Sequence, residues 1–326
     1  MTGKTISILQ GDDPEVISAA ESVISAVAPD INLVHGEIGR TAYEHSGSVF
    51  PSETADLIVN SDSVLCGRTD LAGLRERDPI FMIKKQMNLF TEVNEYYPLR
   101  KKMGCEGIDL VTISPVMDMI MDIRELESLD GVTTDGFISS ESIGSVFEEA
   151  VRICEARRRK NVTFITDSYV FPTAARMSTE RFRKCFAATE FSTEELSTED
   201  VTCRLTLDPS SIEAVITGTV ATPSMCGQAA GMIGGTGLMP HAYVGKTLGI
   251  YTPSNCFNSA RKENPTSAVL SAALMLLNMG RERSYDLIKK SVREMYRLGK
   301  TTPDVGGILT PSDFTKGLLD TIAEFQ

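Results

Sequence analysis

Histidines are few in this sequence, and its cysteines are scattered. There are only 3 histidines (His35, His45 and His241) and 7 cysteines, and no two cysteines form a Cys-x-x-Cys pair. A structural zinc ion needs about four such ligands, mostly in closely spaced pairs, so this composition argues against a zinc site. An odd number of separated cysteines is typical of reduced thiols in the cytoplasm rather than of a disulfide framework.

Long apolar runs and an excess of basic residues are also lacking. No apolar run reaches the roughly 18 residues that a membrane-spanning helix requires, so we expect no membrane span. Lys and Arg total 32 against 44 Asp and Glu, which gives a formal net charge of −12. Because this charge repels phosphate backbones and anionic lipids, we expect neither nucleic acid nor membrane as a partner. The N-terminal TGKTISILQGDD is typical of a strand rather than of a signal peptide, which favours a cytoplasmic protein.

Strand and helix patterns alternate along the chain and predict an α/β fold. Apolar or β-branched runs predict strands at residues 5–9, 32–35, 63–66, 110–114, 119–126, 205–207 and 214–217. Helices are predicted to begin at Asp13-Pro14 and at Asp78-Pro79, and to cover residues 146–160, 284–298 and 311–325. For the helix over 146–160, Ser145 and Glu148 fit a capping box.

The stretch from Gly231 to Met279 contains the clearest helix signal. Glycines at 234, 235 and 237 allow the backbone to turn sharply and to pass close to a ligand or to another helix. Further on, Asn264 is a suitable helix cap, and Pro265 suits the first helical position. Residues 267–279 are apolar nearly all round the helix, so we expect this helix to be buried. Gly280 is then expected to end it.

Two segments carry a family resemblance. The motifs GGTGLMP and NPTSAVLSAALML, in that order, and the C-terminal TTPDVGGILTPSDFTKGLLDTI resemble the isopropylmalate and isocitrate dehydrogenases, the metal-dependent β-decarboxylating dehydrogenases. The resemblance implies two α/β domains around a cleft that holds a small-molecule ligand. The first domain would combine residues 1–95 with 237–326, and the second, residues 96–236, would include a segment that forms a homodimer.

Three positions match functional residues of the family. Arg124, in the segment DIREL, matches an arginine that binds substrate, and Asn264 and Asp304 match positions on the cofactor side, with NAD or NADP as the implied cofactor. Each has a structural alternative. Arg124 could pair with Asp122 on the same strand face, while Asn264 serves as a helix cap and Asp304 as a turn residue before Gly306 and Gly307.

Other functional positions of the family are replaced. Asp167 stands at the position of a lysine that relays a proton, and Asn94 at that of a substrate-binding arginine. A second substrate-binding arginine of the family has no clear match, and Arg100 is only a loose candidate for it. Pro223 and Gly227 stand at the positions of two aspartates that bind Mg²⁺ or Mn²⁺. Neither residue offers a side-chain oxygen, so the sequence predicts no metal site. No tyrosine matches the family's acid, and the adenosine loop is shortened.

These replacements lead to one main hypothesis and two alternatives. The main hypothesis is a divergent family member that has lost metal- and NAD-dependent oxidative decarboxylation and binds another small ligand or acts as a non-catalytic partner. The first alternative is an NAD(P)-dependent dehydrogenase for an unusual 2-hydroxy acid of the malate or isopropylmalate type, with Asp167 as base. The second alternative places a reactive Cys226 thiolate near a helix N-terminus, against the simpler reading of a buried, inert thiol.

Overall fold

The described part of the chain comprises most of its length. The computed structural model describes residues 3–101, 103–116, 121–166, 171–218, 222–254 and 264–326, and only the backbone of residues 121–123 and 222–224. Asp167 and most of the loop that would face adenosine lie outside these residues.

Strands account for the centre of the molecule. In chain order they are β1 (Thr5–Leu9), β2 (Asn32–Gly36), β3 (Ser63–Cys66), β4 (Thr91–Tyr96), β5 (Leu110–Pro115), β6 (Met121–Ser128), β7 (Gly131–Ile138), β8 (Asn161–Ile165), β9 (Ser192–Leu196), β10 (Ala214–Thr217), β11 (Pro240–Val244) and β12 (Gly249–Pro253). The predicted strands near the N-terminus and at 110–114 and 214–217 are confirmed to within one residue.

Helices cover both faces of the strands. They are α1 (Pro14–Val27), α2 (Gly39–Ser46), α3 (Ser52–Val59), α4 (Pro79–Gln86), α5 (Ser140–Ala156), α6 (Pro172–Phe186), α7 (Thr198–Leu207), α8 (Thr222–Met232), α9 (Thr266–Asn278), α10 (Glu282–Arg297) and α11 (Pro311–Phe325). Among the described residues, no helix is long and apolar enough to cross a bilayer.

Ten strands form one mixed sheet. Their order is β2-β1-β3-β12-β11-β4-β5-β10-β8-β9, and the pairing is parallel from β2 to β12 and again from β5 to β9. In the middle, β11 runs antiparallel to β12 and to β4, and β4 runs antiparallel to β5. The two parallel flanks therefore run in opposite directions and meet at β11 and β4. The predicted α/β class is confirmed.

The predicted division into domains follows this sheet but stays a prediction. Strands from residues 1–95 and 237–326 lie on one side, and β5, β10, β8 and β9, from residues 96–236, lie on the other. β4 spans residues 91–96 and pairs with strands of both sides, so the sheet itself is continuous across the predicted boundary.

The helix α9 lies at the centre of the main core. Every residue from Thr266 to Leu277 is buried, and the helix contacts β11, β12, α1 and α10. The Asn264 side chain caps it, since Asn264 Oδ1 accepts a hydrogen bond of 2.9 Å from the Thr266 N–H. The prediction of a buried helix is confirmed, although the helix begins at Thr266 rather than at Pro265. Gly280 follows its end with a φ of 79°, which favours glycine.

One predicted element was wrong, and the bounds of another differ from those predicted. Residues 205–207 are the last turn of α7, not a strand, because the Ser197 side chain caps a helix at the Asp200 N–H, and Val201 and Leu205 form its buried face. The helix predicted over 146–160 begins at Ser140 instead, since Ser139 caps it by accepting a 2.9 Å hydrogen bond from the Ser142 N–H. It ends at Ala156, and Arg158 has a φ of 53°, which is incompatible with a continuing helix.

A hairpin of β6 and β7 is separate from the main sheet. The two strands pair only with each other, with Arg124 opposite Asp135. Its apolar residues Leu126, Val132 and Phe137 are exposed.

We expect the core position of α9 to dominate stability. Replacing Leu274, which is fully buried, by alanine should cost about 2–5 kcal/mol in the free energy of unfolding, because the cavity left behind cannot collapse completely. Urea denaturation would measure the loss. The same substitution at Leu207, which is 80% exposed, should change stability by less than about 0.5 kcal/mol. Similar losses for the two variants would contradict a core centred on α9.

Candidate functional site

Polar side chains cluster on one face of the sheet where its two flanks meet. On β4, Glu92 lies opposite Ser114 of β5, and Asn94 lies opposite Thr112 of β5 and His241 of β11. Directly opposite residues of antiparallel strands point to the same face, so these five side chains share one surface. We call these residues the central polar patch. It lies between α4, whose Lys84 contacts the ring of Tyr243, and α8, which contacts β4.

Glu92 carries the negative charge of the patch. Burial alone would raise the pKa of this carboxyl, but the neighbouring His241 imidazole, the Asn94 amide and the Lys84 ammonium together hold the pKa below its ordinary value. The His241 Nε2 atom lies 3.3 Å from Glu92 Oε1. Glu92 is therefore ionised at neutral pH, and its oxygens can only accept hydrogen bonds.

This charge fixes the orientation of the Asn94 amide. Asn94 Nδ2 donates to Glu92 Oε1 over 3.3 Å, because an ionised carboxylate cannot donate in return. Asn94 Oδ1 must then point away from Glu92. Asn94 is only 1% exposed, and its Oδ1 has no hydrogen-bond partner.

Other polar atoms of the patch are likewise unsatisfied. The Ser114 hydroxyl and the His241 Nδ1 atom are buried and make no hydrogen bond with the described residues, whereas His241 Nε2 faces Glu92. Native proteins leave few buried polar groups unpaired, since each costs free energy. The patch therefore keeps hydrogen-bonding capacity that the described residues do not use.

Cys226 closes the α8 side of the patch. Its Sγ atom lies 3.7 Å from Thr112 Oγ1, and burial raises the pKa of this thiol above its ordinary value. The residue is also in the second turn of α8, which begins at Thr222, rather than at its first residues. The hypothesis of a reactive Cys226 thiolate was therefore wrong, since a helix N-terminus lowers a thiol pKa only over the first turn.

The patch does not fit a hard divalent cation. Pro223 and Gly227 both lie on α8, four residues apart, and neither brings a side-chain oxygen to the surface where the resemblance implies metal-binding aspartates. Within the described ranges, no group of three or more His, Cys, Asp or Glu side chains is arranged to hold a metal ion. Mg²⁺ and Mn²⁺ prefer several oxygen ligands. Among the five residues of the patch, Glu92 is the single carboxylate, which is too few for such an ion.

The two predicted cofactor-side residues bind each other. Asn264 Nδ2 donates to Asp304 Oδ2 over 3.0 Å, and Asp304 Oδ1 accepts a hydrogen bond of 2.5 Å from the Thr302 hydroxyl. Asn264 is 1% exposed, and its carbonyl oxygen caps α9. Both side chains are therefore used in joining the start of α9 to the turn at residues 303–305, and a dinucleotide would find little hydrogen-bonding capacity left on them. Their cofactor role stays a prediction.

The predicted substrate residues are exposed, unlike the mostly buried residues of the patch. Arg124 is exposed on the β6–β7 hairpin, and Arg100 is exposed after β4. Asn94, at the position of a family arginine, is in contrast a central member of the patch. The role of Arg124 stays a prediction, and so does that of Asp167, which lies outside the described residues.

Four members of the patch were not identified from the sequence: Glu92, Thr112, Ser114 and His241. The segment TEVNEYY of β4 did contain a signal, because several polar residues, including Glu92 and Asn94, occur within one short strand. No signal in the sequence indicates that Asn94 lies beside His241. The two residues are 147 positions apart, and only the strand register brings them together.

Comparison with known proteins agrees with this fold. The profile of the family described as isocitrate/isopropylmalate dehydrogenase matches residues 5–318. The chain belongs to the isocitrate/isopropylmalate dehydrogenase family.

Its relatives match along their whole length. The isocitrate/homoisocitrate dehydrogenase of Thermus thermophilus is 25% identical over 331 residues, which cover 97% of this chain and 98% of that protein. The 3-isopropylmalate/3-methylmalate dehydrogenase of Methanocaldococcus jannaschii is 24% identical over 335 residues, covering 98% and 99%.

Solved structures share the fold at lower identity. A β-decarboxylating dehydrogenase from Thermococcus kodakarensis superposes with a TM-score of 0.87 at 22% identity, covering 98% of this chain and 96% of that one. The isocitrate dehydrogenase from Methylococcus capsulatus gives a TM-score of 0.85 at 18% identity, covering 98% and 99%.

The unpaired amide of Asn94 leads to a direct test. Replacing Asn94 by leucine, which has nearly the same shape, should change stability by less than about 1 kcal/mol, because removing an unsatisfied buried acceptor offsets the loss of the hydrogen bond to Glu92. Asn264 is equally buried but fully bonded, so Asn264→Leu should cost about 1–3 kcal/mol. Urea denaturation of the ligand-free protein measures both. Equal destabilisation by the two substitutions would mean that Asn94 is a structural residue instead.

Proposed function

We propose that this protein binds a small polar molecule on the central polar patch, between α4 and α8, and does not carry out metal-dependent oxidative decarboxylation. The observation that supports this most directly is the group of buried, unpaired polar atoms on Asn94, Ser114 and His241. A ligand that completes their hydrogen bonds would remove the cost of leaving them unpaired.

The charge of the patch indicates the kind of ligand. Asn94 Oδ1 and the ionised Glu92 are acceptors, so a bound molecule must bring hydrogen-bond donors, such as hydroxyl, amide or amino groups. The substrates in the relatives' names, isocitrate, homoisocitrate and 3-isopropylmalate, each carry at least two carboxylates. A carboxylate placed beside Glu92 would be repelled, so we propose a neutral or cationic ligand at this position.

The proposed loss of the family reaction follows from the same residues. Metal ions and general bases each lower a reaction barrier by several kcal/mol, so losing both reduces a rate by many orders of magnitude. Pro223 and Gly227 offer no metal ligand, and the family lysine is replaced by Asp167. No observation on the described residues favours the alternative of a dehydrogenase for an unusual 2-hydroxy acid.

We expect no dehydrogenase activity in a direct assay. The protein would be incubated with isocitrate, homoisocitrate, 3-isopropylmalate or 3-methylmalate, with NAD⁺ or NADP⁺, and with Mg²⁺ or Mn²⁺. Absorbance at the nicotinamide band should stay at the level of the enzyme-free blank, while the Thermus thermophilus relative gives a steady rate under the same conditions. Turnover of any one substrate above the blank would reject the proposal and favour the dehydrogenase alternative.

We also propose a homodimer joined through the β6–β7 hairpin. This hairpin pairs with no strand of the main sheet, and Leu126, Val132 and Phe137 are 67%, 62% and 69% exposed. A two-stranded hairpin is only marginally stable alone in water, and Leu126 and Phe137 share one of its faces while Val132 lies on the other. A second copy of the hairpin would cover them, as the family resemblance implies.

Light scattering after gel filtration tests the dimer. The native protein should have twice the chain mass of 35.5 kDa. Leu126 and Phe137 lie on one face of the hairpin, so replacing both by aspartate should give the monomer mass, because buried charges oppose association. Val59→Asp, on the exposed surface of α3, is the matched control and should remain dimeric. A native monomer, or a dimer that survives the double substitution, would contradict this assembly.

A further inference from the structure

Glu95 of β4 points to the opposite face from the central polar patch. Its side chain is 2% exposed, and it accepts a hydrogen bond of 2.6 Å from Arg157 Nε and one of 3.0 Å from the Tyr285 hydroxyl. Arg157 directly follows α5, and Tyr285 lies on α10. Glu95 therefore joins the end of α5 to α10 behind the sheet.

More basic than acidic groups are buried around Glu95. Arg157 pairs with Glu95, and Arg159 pairs with Asp109 over 2.7 Å. The Lys289 ammonium has no carboxylate partner within 4.0 Å among the described residues. It donates to the Tyr285 hydroxyl over 2.6 Å and lies 3.8 Å from the centre of the Tyr97 ring. Counted with Glu95 and with Asp109, whose side chain is 62% exposed, the three basic groups leave one positive charge in excess.

A cavity opens beside these groups. Its volume is about 200 Å³, and its walls include Asp109, Arg157, Arg159, Tyr285 and Lys289. The Arg157 side chain is only 3% exposed. Its Nη2 atom and the Arg159 Nε atom are buried and have no hydrogen-bond partner among the described residues. Since a water molecule occupies roughly 30 Å³ of liquid, the cavity has room for a few waters or for one small anion.

The rim of the cavity carries one negative charge in excess. Arg158 pairs with Glu282 there, with both side chains mostly exposed, and Asp286 lies beside them. These groups are solvated, so they contribute less to the field inside the cavity than the buried ones do.

We propose that this cavity binds a phosphate group, held by Arg157, Arg159 and Lys289. Two guanidinium groups and one ammonium reach the space from α10 and from the segment after α5. Such a set of donors suits an anion with several acceptor oxygens better than a single carboxylate. The bound charge would offset the excess positive charge of the cluster and complete the unpaired N–H groups of Arg157 and Arg159. This site is separate from the central polar patch, and its test does not depend on the function proposed for that patch.

Phosphate would also favour the charged form of Lys289. Burial lowers the pKa of Lys289, because its ammonium is partly removed from water. A nearby anion acts in the opposite direction.

Thermal unfolding of the full-length protein in phosphate tests the site. The melting temperature should rise saturably with inorganic phosphate, relative to sodium chloride of equal ionic strength. Lys289→Gln should weaken the apparent affinity for phosphate about tenfold or more, whereas Lys289→Arg should retain most of this affinity. Lys300 is exposed and is not among the residues that line the cavity, so Lys300→Gln should behave as the native protein.

A second arm separates free from attached phosphate. If glycerol phosphate stabilises the native protein to the same extent as inorganic phosphate, the site accepts a phosphate carried by a metabolite. If inorganic phosphate alone stabilises the protein, the site takes the free ion. Stabilisation equal to that in chloride, or an equal rise in the native protein and in Lys289→Gln, would overturn the proposal. If Lys289→Gln does not fold, the comparison of phosphate with chloride in the native protein still decides it.

Discussion

The fold depends on placing a charged residue inside a sheet and pairing it there. Glu95 lies in the centre of a ten-stranded sheet, where an unpaired carboxylate would be very costly. Its pairing with Arg157 offsets this cost only while both partners stay in place, and removing one partner of such a pair typically costs about 3–5 kcal/mol. Because Arg157 follows α5 and Tyr285 belongs to α10, this interaction fixes how helices from both flanks sit behind β4.

Asn94 and Glu95 are adjacent on β4 but differ in how completely their side chains are paired. Behind the strand, both oxygens of Glu95 have partners, although Arg157 Nη2 and Arg159 Nε near it have none among the described residues. In front of the strand, Asn94 Oδ1, the Ser114 hydroxyl and His241 Nδ1 have no partner there either. Unpaired groups therefore occur on both faces of the strand, and each set lies at one of the two sites for which we propose a ligand.

Much of the fold was predictable from the sequence because its signals are local. The burial of α9 follows from apolar residues within 13 positions, and the caps at Asn264 and Asp78 act on residues two positions away. The start of α5 was misplaced because its cap is not fixed by the local sequence alone. Ser145 is a possible cap, but Ser139 is the one used, and the choice depends on where the chain leaves the β6–β7 hairpin. The patch itself could not be predicted, since strand register alone brings His241 next to Asn94.

Membership of the family and the chemistry of the site are therefore separate conclusions. The residues that resemble the family most closely, from Asn264 through α9, cap a helix and fill the core, and they would be retained for stability whatever the site binds. The residues that face a ligand have changed in charge. A cationic residue implied at position 94 is a neutral amide, and the ionised Glu92 is its neighbour on the strand face. At 4 Å, two like charges repel by about 4 kcal/mol in a partly buried setting, which is roughly a thousandfold in affinity. A ligand with two carboxylates that approached this patch would meet that repulsion without the arginine that the resemblance implies, which is why we propose a neutral or cationic ligand for it.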